Sequence, residues 1–171
     1  MIGIDTHCLS YIIDAFFSVD APIDSLAAER IALARLFFYL PGTLWVTPTV
    51  TSECARIRNV ERAKLHESFI AVLFGEPPLH DRAWVDLRTQ ELSRIHNHEA
   101  DCRILSEAES LGFRALLTLD SKFRKRLAPY TAVQLAGPIE YWEGLAIPRG
   151  VRPDKSPAQG NPLSEQGWWR W

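Results

Sequence analysis

The sequence predicts an α/β fold, a three-layer α/β/α sandwich with a mainly parallel central sheet. Short apolar runs of strand length alternate along the chain with longer segments that have helical periodicity, which is typical of this class. The run at residues 115–119 is apolar throughout its first three positions and again at its end, as expected for a strand covered by helices on both faces. The 171 residues suffice for one domain with a sizeable core.

Each element follows from a local pattern and its boundary residues. Apolar runs bounded by turn residues predict four strands, at 2–4, 43–46, 115–119 and 131–135. Helical spacing of apolar residues predicts helices at 9–17, 25–40, 60–73, 84–95, 99–111 and 138–145. A further helix begins at Pro48, with Thr47 as its N-cap, because threonine caps helices and proline suits the first helical position. The prolines and glycine at 75–80 predict a loop.

The last part of the chain differs in composition from the rest. Residues 1–147 form the predicted domain, whereas residues 148–171 form a tail in which proline and glycine recur. Such a tail cannot form a packed core alone, yet it ends in a cluster of tryptophans at positions 168, 169 and 171. Tryptophans are costly to leave in water and often anchor interfaces. The sequence favours docking on the parent domain or on a second subunit over free disorder, and base stacking on RNA stays open.

Composition limits the function classes. The formal net charge is −2, so nucleic-acid binding would need a local basic patch or metals that cancel acidic charge. The chain starts without a basic, then apolar, leader pattern, and no apolar stretch is long enough to span a bilayer. The three cysteines, Cys8, Cys54 and Cys102, are widely spaced and include no CxxC pair, which argues against a disulfide framework. We therefore expect a cytoplasmic protein with no membrane association.

Four carboxylates stand at positions that the topology should bring to one edge of the sheet. Asp5 and Asp120 directly follow predicted strands. Glu53 lies early in the helix that begins at Pro48, and Asp101 lies in the first turn of the helix predicted at 99–111. Functional sites in parallel sheets form at the carboxyl ends of the strands, and helix N-termini facing that edge favour negative charge. Any one aspartate after a strand could equally cap a turn or a helix, but four acids together make that explanation less favourable.

Clustered carboxylates repel one another unless a cation lies between them. Oxygen ligands without thiolates suit Mg²⁺ or Mn²⁺, and such a site can activate water for phosphodiester hydrolysis. A zinc site at His96, His98 and Cys102 is disfavoured, since their spacing matches no strong zinc pattern.

Four segments resemble the PIN-domain nucleases in their order along the chain, and most closely the VapC-type toxin ribonucleases. The segments are Ile-Gly-Ile-Asp-Thr at 2–6, Thr-Ser-Glu at 51–53, His-Glu-Ala-Asp-Cys-Arg-Ile-Leu at 98–105 and Leu-Leu-Thr-Leu-Asp-Ser-Lys-Phe at 116–123. The resemblance covers about residues 1–145.

The resemblance implies a PIN-like fold and a metal-dependent endoribonuclease. Asp5, Glu53, Asp101 and Asp120 would be the catalytic and metal-coordinating residues, with Mg²⁺ or Mn²⁺ as cofactor. Thr6 and Thr118 would be polar neighbours of the site. The resemblance also implies an RNA substrate, a homodimer and, for a toxin of a toxin–antitoxin pair, a small antitoxin protein as partner.

A basic run lies beside the fourth carboxylate. Lys122, Arg124, Lys125 and Arg126 predict a contact with the RNA backbone next to the cleavage centre. The plainer alternative is a solvated helix face.

Three other functions stay as alternatives. A PIN fold could bind RNA or protein without cutting, although all four acids are present. A phosphatase of the haloacid-dehalogenase class would need a second aspartate two positions after Asp5, where His7 stands. A purely structural partner protein would have no reason to cluster carboxylates.

Overall fold

The predicted α/β class is confirmed by the structure, a computed structural model that describes residues 1–17, 19–74 and 81–171. The loop predicted at 75–80 lies outside these residues. Four parallel strands form one sheet in the order β2-β1-β3-β4, the centre of a three-layer α/β/α sandwich. The strands are β1 (Ile2–Ile4), β2 (Leu44–Trp45), β3 (Ala115–Leu117) and β4 (Gln134–Ala136).

Within the described ranges the chain forms eight α-helices and two short 3₁₀ turns. The helices are α1 (Thr6–Phe17), α2 (Ala27–Tyr39), α3 (Pro48–Ala55), α4 (Val60–Leu73), α5 (Arg82–Ser93), α6 (Glu99–Ser110), α7 (Ser121–Leu127) and α8 (Pro138–Gly144). The 3₁₀ turns are Ala128–Tyr130 and Pro162–Glu165. None of these described helices is long and apolar enough to cross a membrane.

The register of the central strands aligns their carboxyl ends. Ile2 pairs with both Leu44 and Ala115, and Ile4 pairs with Leu117. All three residues of β1 and of β3 are buried, so their continuous apolar character reflects cover on both faces of the sheet. The residues that follow Ile4 and Leu117 consequently emerge side by side at one edge.

Gly3 in the middle of β1 allows a close approach of an aromatic ring. A Cβ atom at this position would lie 2.7 Å from Cδ2 of Phe113, nearer than real contacts allow. The glycine therefore lets Phe113, itself buried, pack directly against the strand.

Three strand predictions were wrong in their limits. The strand predicted at 43–46 spans only Leu44–Trp45. The strand predicted at 115–119 ends at Leu117, and just beyond it the Thr118 hydroxyl accepts a hydrogen bond from the backbone N–H of Asp120, which turns the chain. The strand predicted at 131–135 begins later, at Gln134. Before it the chain forms the 3₁₀ turn, and the Thr131 hydroxyl then accepts a hydrogen bond from the backbone N–H of Val133.

Helix starts were predicted more accurately: those at 48, 60, 99 and 138 are exact, and those predicted at 25 and 84 lie at 27 and 82. Helix α7 was not among the predicted helices. The first helix starts at Thr6, where helical spacing alone predicted position 9, because Asp5 accepts a hydrogen bond from the first helical turn. Pro48 begins α3 as predicted and Thr47 occupies the N-cap position. The Thr47 hydroxyl makes no capping bond, however; it is buried without a hydrogen-bond partner among the described residues.

The tail packs on its own domain, which was one of the alternatives that the sequence left open. Trp169 is only 1% exposed, and its ring lies 4.4 Å from that of Phe38 in α2. The backbone N–H of Trp171 donates to the Tyr39 hydroxyl, and the Trp171 indole donates to Ile147 O. Residues 148–171 thus extend the core cluster and cover the carboxyl end of α2.

The three cysteines are free and buried, as small apolar side chains would be. Burial raises the pKa of the Cys54 thiol to about 11, and the neighbouring Glu53 contributes to the shift. The thiols are therefore protonated at neutral pH, and none is a ready nucleophile.

Candidate active site

Thr118 connects the ends of the two central strands. Asp5 directly follows β1, and its backbone N–H donates to Leu117 O of β3 at 3.1 Å. The fully buried Thr118 lies beside Asp5, whose pKa its side chain lowers. The Thr118 hydroxyl oxygen accepts a hydrogen bond from the backbone N–H of Asp120 at 3.0 Å. Thr118 is thus near the Asp5 carboxylate and contacts the backbone of Asp120.

Asp5 is the most enclosed of the four acids, at 8% exposure. Its Oδ1 accepts a hydrogen bond from the backbone N–H of Cys8 at 2.7 Å, in the first turn of α1. Burial raises the pKa of Asp5, because a carboxylate loses favourable hydration in the core. Interactions with Thr118 and with the backbone N–H of Cys8 lower the pKa of Asp5, but they do not cancel the effect of burial.

Asp120 has the opposite electrostatic environment. It is exposed and caps α7, and its Oδ1 accepts hydrogen bonds from the backbone N–H groups of Lys122 at 2.7 Å and Phe123 at 3.0 Å. These bonds, that of Phe123 above all, lower the pKa of Asp120, and the nearby His96 and His98 contribute. The capping role foreseen for a single aspartate is therefore real here, and both capping hydrogen bonds engage Oδ1.

Glu53 is tied to the same edge through the residue next to Asp5. The hydroxyl of Thr6, at the start of α1, donates to Oε2 of Glu53 in α3. Glu53 also lines a cleft of about 360 Å³, whose opposite wall includes Glu99 and Arg103 of α6. The cleft brings the carboxylate-bearing face of α3 close to the first turn of α6, the turn that carries Asp101.

Asp101 is linked to Asp120 through a histidine. His96 Nε2 lies 2.8 Å from Oδ2 of Asp101, and the His96 ring stacks against Phe123, whose backbone is capped by Asp120. The sequence favours a polar residue at a helix entry over a zinc ligand for His96, and it does not predict this contact. A histidine five positions before an acid was the only available signal.

The described side chains of the four acids do not form a closed metal site by themselves. No three carboxylate, imidazole or thiol groups of the described residues are arranged to hold a metal ion. Each acid is instead engaged by a protein hydrogen-bond donor. The donor chemistry nevertheless fits Mg²⁺ or Mn²⁺, because the four acids offer only oxygen ligands. One of them, Asp5, is buried and forms no salt bridge among the described residues.

None of the protein families, curated proteins or solved structures compared with this chain matches it. Function is therefore inferred from the site.

The basic run is divided by the structure. Lys122, Lys125 and Arg126 are exposed on α7, directly after Asp120. Arg124 is half-buried and pairs with Glu140 of α8, with 2.8 Å between Nη1 and Oε2. Three of the four cations predicted to contact RNA consequently face solvent beside the acids, while the fourth already has a carboxylate partner.

Proposed function

We propose that this protein is a metal-dependent endoribonuclease with a PIN-like fold. Asp5, Glu53, Asp101 and Asp120 would hold Mg²⁺ or Mn²⁺, and Thr118 would position two of them. The observation that carries the proposal is a set of contacts made by the four acids or their neighbours. Thr118 lies beside Asp5 and accepts a hydrogen bond from the backbone N–H of Asp120. Thr6 donates to Glu53, and His96 contacts Asp101 and stacks on Phe123 of α7.

The residues of the chain would divide the work between them. A divalent cation, when bound, supplies Lewis-acid activation of water and of a phosphodiester oxygen. Thr118 lies beside the Asp5 carboxylate, whose pKa is raised by burial. Lys122, Lys125 and Arg126 would contact phosphates that flank the scissile bond. No side-chain nucleophile is required, since water attacks directly.

The resemblance to VapC-type ribonucleases extends the proposal to biological context. The chain would act in the cytoplasm as the toxin of a toxin–antitoxin pair, form a homodimer, and be inhibited by a small antitoxin protein. A cation-binding pocket rich in carboxylates is a surface that a basic side chain of such a partner could block.

A second candidate function is a PIN-fold module that binds RNA or protein without cleavage. The specific observation in its favour is that Asp5 and Asp120 each accept a hydrogen bond from the first turn of a helix, α1 and α7. Both aspartates therefore have a contact with a helix start that needs no metal.

A cleavage assay with isosteric variants separates the two candidates. The metal-free full chain is incubated with end-labelled single-stranded RNA, with Mg²⁺ or Mn²⁺ or with EDTA. We expect cleavage only with metal, and loss of most of it in the variants Asp5→Asn, Glu53→Gln, Asp101→Asn and Asp120→Asn. Asp14→Asn is the matched control, because Asp14 is a surface acid paired with Arg62 away from the site.

The assay has two adverse outcomes. Wild-type cleavage by two of the four variants at saturating Mg²⁺ would show that the site is assigned wrongly. RNA binding without cleavage under every metal condition would favour the second candidate.

A further inference from the structure

We propose that His96 is a positioning residue that holds the Asp101 carboxylate in the orientation needed to bind a divalent cation. This inference rests on the proposed function, because it assigns a role toward the same metal. It concerns a residue that neither the sequence patterns nor the resemblance included in the site.

His96 is fixed in place by its backbone. It lies between α5 and α6 and is only 3% exposed. Its N–H donates to Leu92 O at 3.0 Å, which extends the last turn of α5. Its carbonyl oxygen accepts a hydrogen bond from Sγ of Cys102 in α6, at 3.4 Å. The backbone of His96 is thus held by hydrogen bonds to both helices, which fixes the position from which its side chain extends.

The ring itself has one defined polar contact. Nε2 lies 2.8 Å from Oδ2 of Asp101, and Nδ1 is buried with no hydrogen-bond partner among the described residues. A proton on Nδ1 would be buried without an acceptor, which is more costly than an unused lone pair there. The neutral ring therefore carries its proton on Nε2 and donates it to Asp101.

Packing prevents the ring from turning away. The imidazole stacks on the ring of Phe123 with 5.7 Å between centroids and 23° between planes. Phe123 is itself buried, and its backbone N–H is held by Asp120. The imidazole thus lies between the acid of α6 and the acid that caps α7, and its position depends on both.

As a consequence, one oxygen of the Asp101 carboxylate is engaged by His96. The Asp101 side chain is 27% exposed, so it would otherwise sample several rotamers in contact with water. Donation from Nε2 to Oδ2 fixes the plane of the carboxylate and leaves Oδ1 for a ligand. Outer hydrogen bonds of this kind orient metal-binding groups, and their loss commonly costs about 10–100-fold in metal affinity.

A second buried histidine provides a matched control. His66 in α4 is fully buried, and both of its ring nitrogens are engaged. Nε2 lies 3.0 Å from Oγ of Ser10, and Nδ1 lies 2.8 Å from Arg62 O. It contacts none of the four acids in the hydrogen bonds of the described residues, so its replacement tests the cost of losing a buried imidazole alone.

The experiment measures Mn²⁺ binding to the metal-free full chain, from the free-Mn²⁺ signal in electron paramagnetic resonance. We expect His96→Leu to weaken Mn²⁺ binding about 10–100-fold. His96→Gln, whose amide N–H₂ can still donate to Asp101, should retain most of the affinity. His66→Gln should bind Mn²⁺ like the wild type, and Asp101→Asn should bind it most weakly.

Cleavage kinetics give a second readout. A residue that only positions a ligand should affect the metal requirement more than the chemistry. The single-turnover rate of His96→Leu at saturating Mn²⁺ should therefore return toward that of the wild type. If His96→Leu does not fold, His96→Met, which is apolar and similar in length to glutamine, takes its place beside His96→Gln.

The failures of the two proposals are distinguishable. If the wild type binds Mn²⁺ and Asp101→Asn loses it, but the apolar His96 variant binds as the wild type does, the positioning role is overturned and the proposed function stands. Equal losses in the apolar His96 variant and His66→Gln would also overturn it, because destabilisation would then explain both. A wild type that neither binds Mn²⁺ nor cleaves RNA would overturn both proposals.

Discussion

The hydroxyl of Thr6 donates a hydrogen bond to Oε2 of Glu53, which lies 47 positions further along the chain. This contact joins the first turn of α1 to α3. Asp5 immediately precedes Thr6, so the backbone that carries one proposed metal ligand also orients another. The contact therefore links the proposed ligand after β1 to the proposed ligand in α3, two elements that the strand pairing of the sheet does not join.

We predict that Thr6→Val weakens Mn²⁺ binding and Mg²⁺-dependent cleavage, whereas Thr6→Ser does not. Valine keeps the shape of threonine but cannot donate to Glu53. A hydrogen bond to a charged group is worth about 1.5–3 kcal/mol, so the expected loss is about tenfold or more. Titration of Mn²⁺ into the metal-free variants measures it. Equal affinities for the valine and serine variants would show that the contact does not orient Glu53.

The elements that local patterns determine were predicted well. Apolar runs located the central strands, and the rule that parallel strands end at a common edge placed Asp5 and Asp120 as neighbours. The side-chain contacts of Asp5 and Asp120 could not be predicted from the sequence in the same way. Thr118 was predicted as a neighbour of the site only through the resemblance, because nothing in its spacing shows that it would lie beside Asp5 and bind the backbone of Asp120.

Contacts that depend on packing between distant segments were not predictable. His96 contacts Asp101 because the loop between α5 and α6 turns the ring inward over Phe123, and no periodicity encodes that turn. The start of β4 was predicted too early, since Thr131 is β-branched and favours a strand by propensity. In the structure its hydroxyl stabilises a turn instead.

We predict that Asp5→Asn stabilises the metal-free protein at neutral pH. Burial raises the pKa of Asp5 in the folded state, so the folded protein holds this proton more tightly than the unfolded chain does. Its contribution to stability is complete below the unfolded pKa and is lost as the pH rises through the folded pKa. Asparagine removes the buried charge and can still accept the hydrogen bond from Cys8 N–H.

Urea unfolding of the metal-free wild type and Asp5→Asn, at several pH values from acid to neutral, tests this prediction. The advantage of the variant should grow as the pH rises. Asp14→Asn is the control, since Asp14 is partly exposed and paired with Arg62. An advantage that does not change with pH would indicate that the charge of Asp5 is not the cause.

We predict that the basic run contributes to RNA binding through three of its four cations. Replacement of Lys122, Lys125 and Arg126 with alanine should weaken binding. It should also reduce the slope of log affinity against log salt by about 2, since each contact with a single strand contributes about 0.7. Arg124→Ala should change the slope less, because Arg124 is already paired with Glu140.

Fluorescence anisotropy with labelled single-stranded RNA in EDTA, across a salt series, measures both variants without cleavage. A triple variant with the salt slope of the wild type would identify the run as a solvated helix face.

We predict that removal of the tail lowers thermal stability without changing the oligomeric state. Truncation after Pro148 deletes Trp169, whose ring fills the core beside Phe38 and whose indole N–H donates to Leu163 O at 3.0 Å. The single substitution Trp169→Ala should cost about 3–5 kcal/mol, the usual loss for a buried aromatic side chain. At about 2–4 °C per kcal/mol, the melting temperature should fall by roughly 10 °C.

Trp84→Ala is the matched control for Trp169→Ala, because the Trp84 side chain is 41% exposed on α5 and its loss leaves no comparable cavity. Thermal melts give the stability, and light scattering coupled to size exclusion gives the oligomeric state. A truncated chain that loses its dimer but keeps the stability of the monomer would mean that the tail docks on a second subunit. The burial of Trp169 against α2 of the same chain argues for the opposite result, a less stable protein of unchanged size.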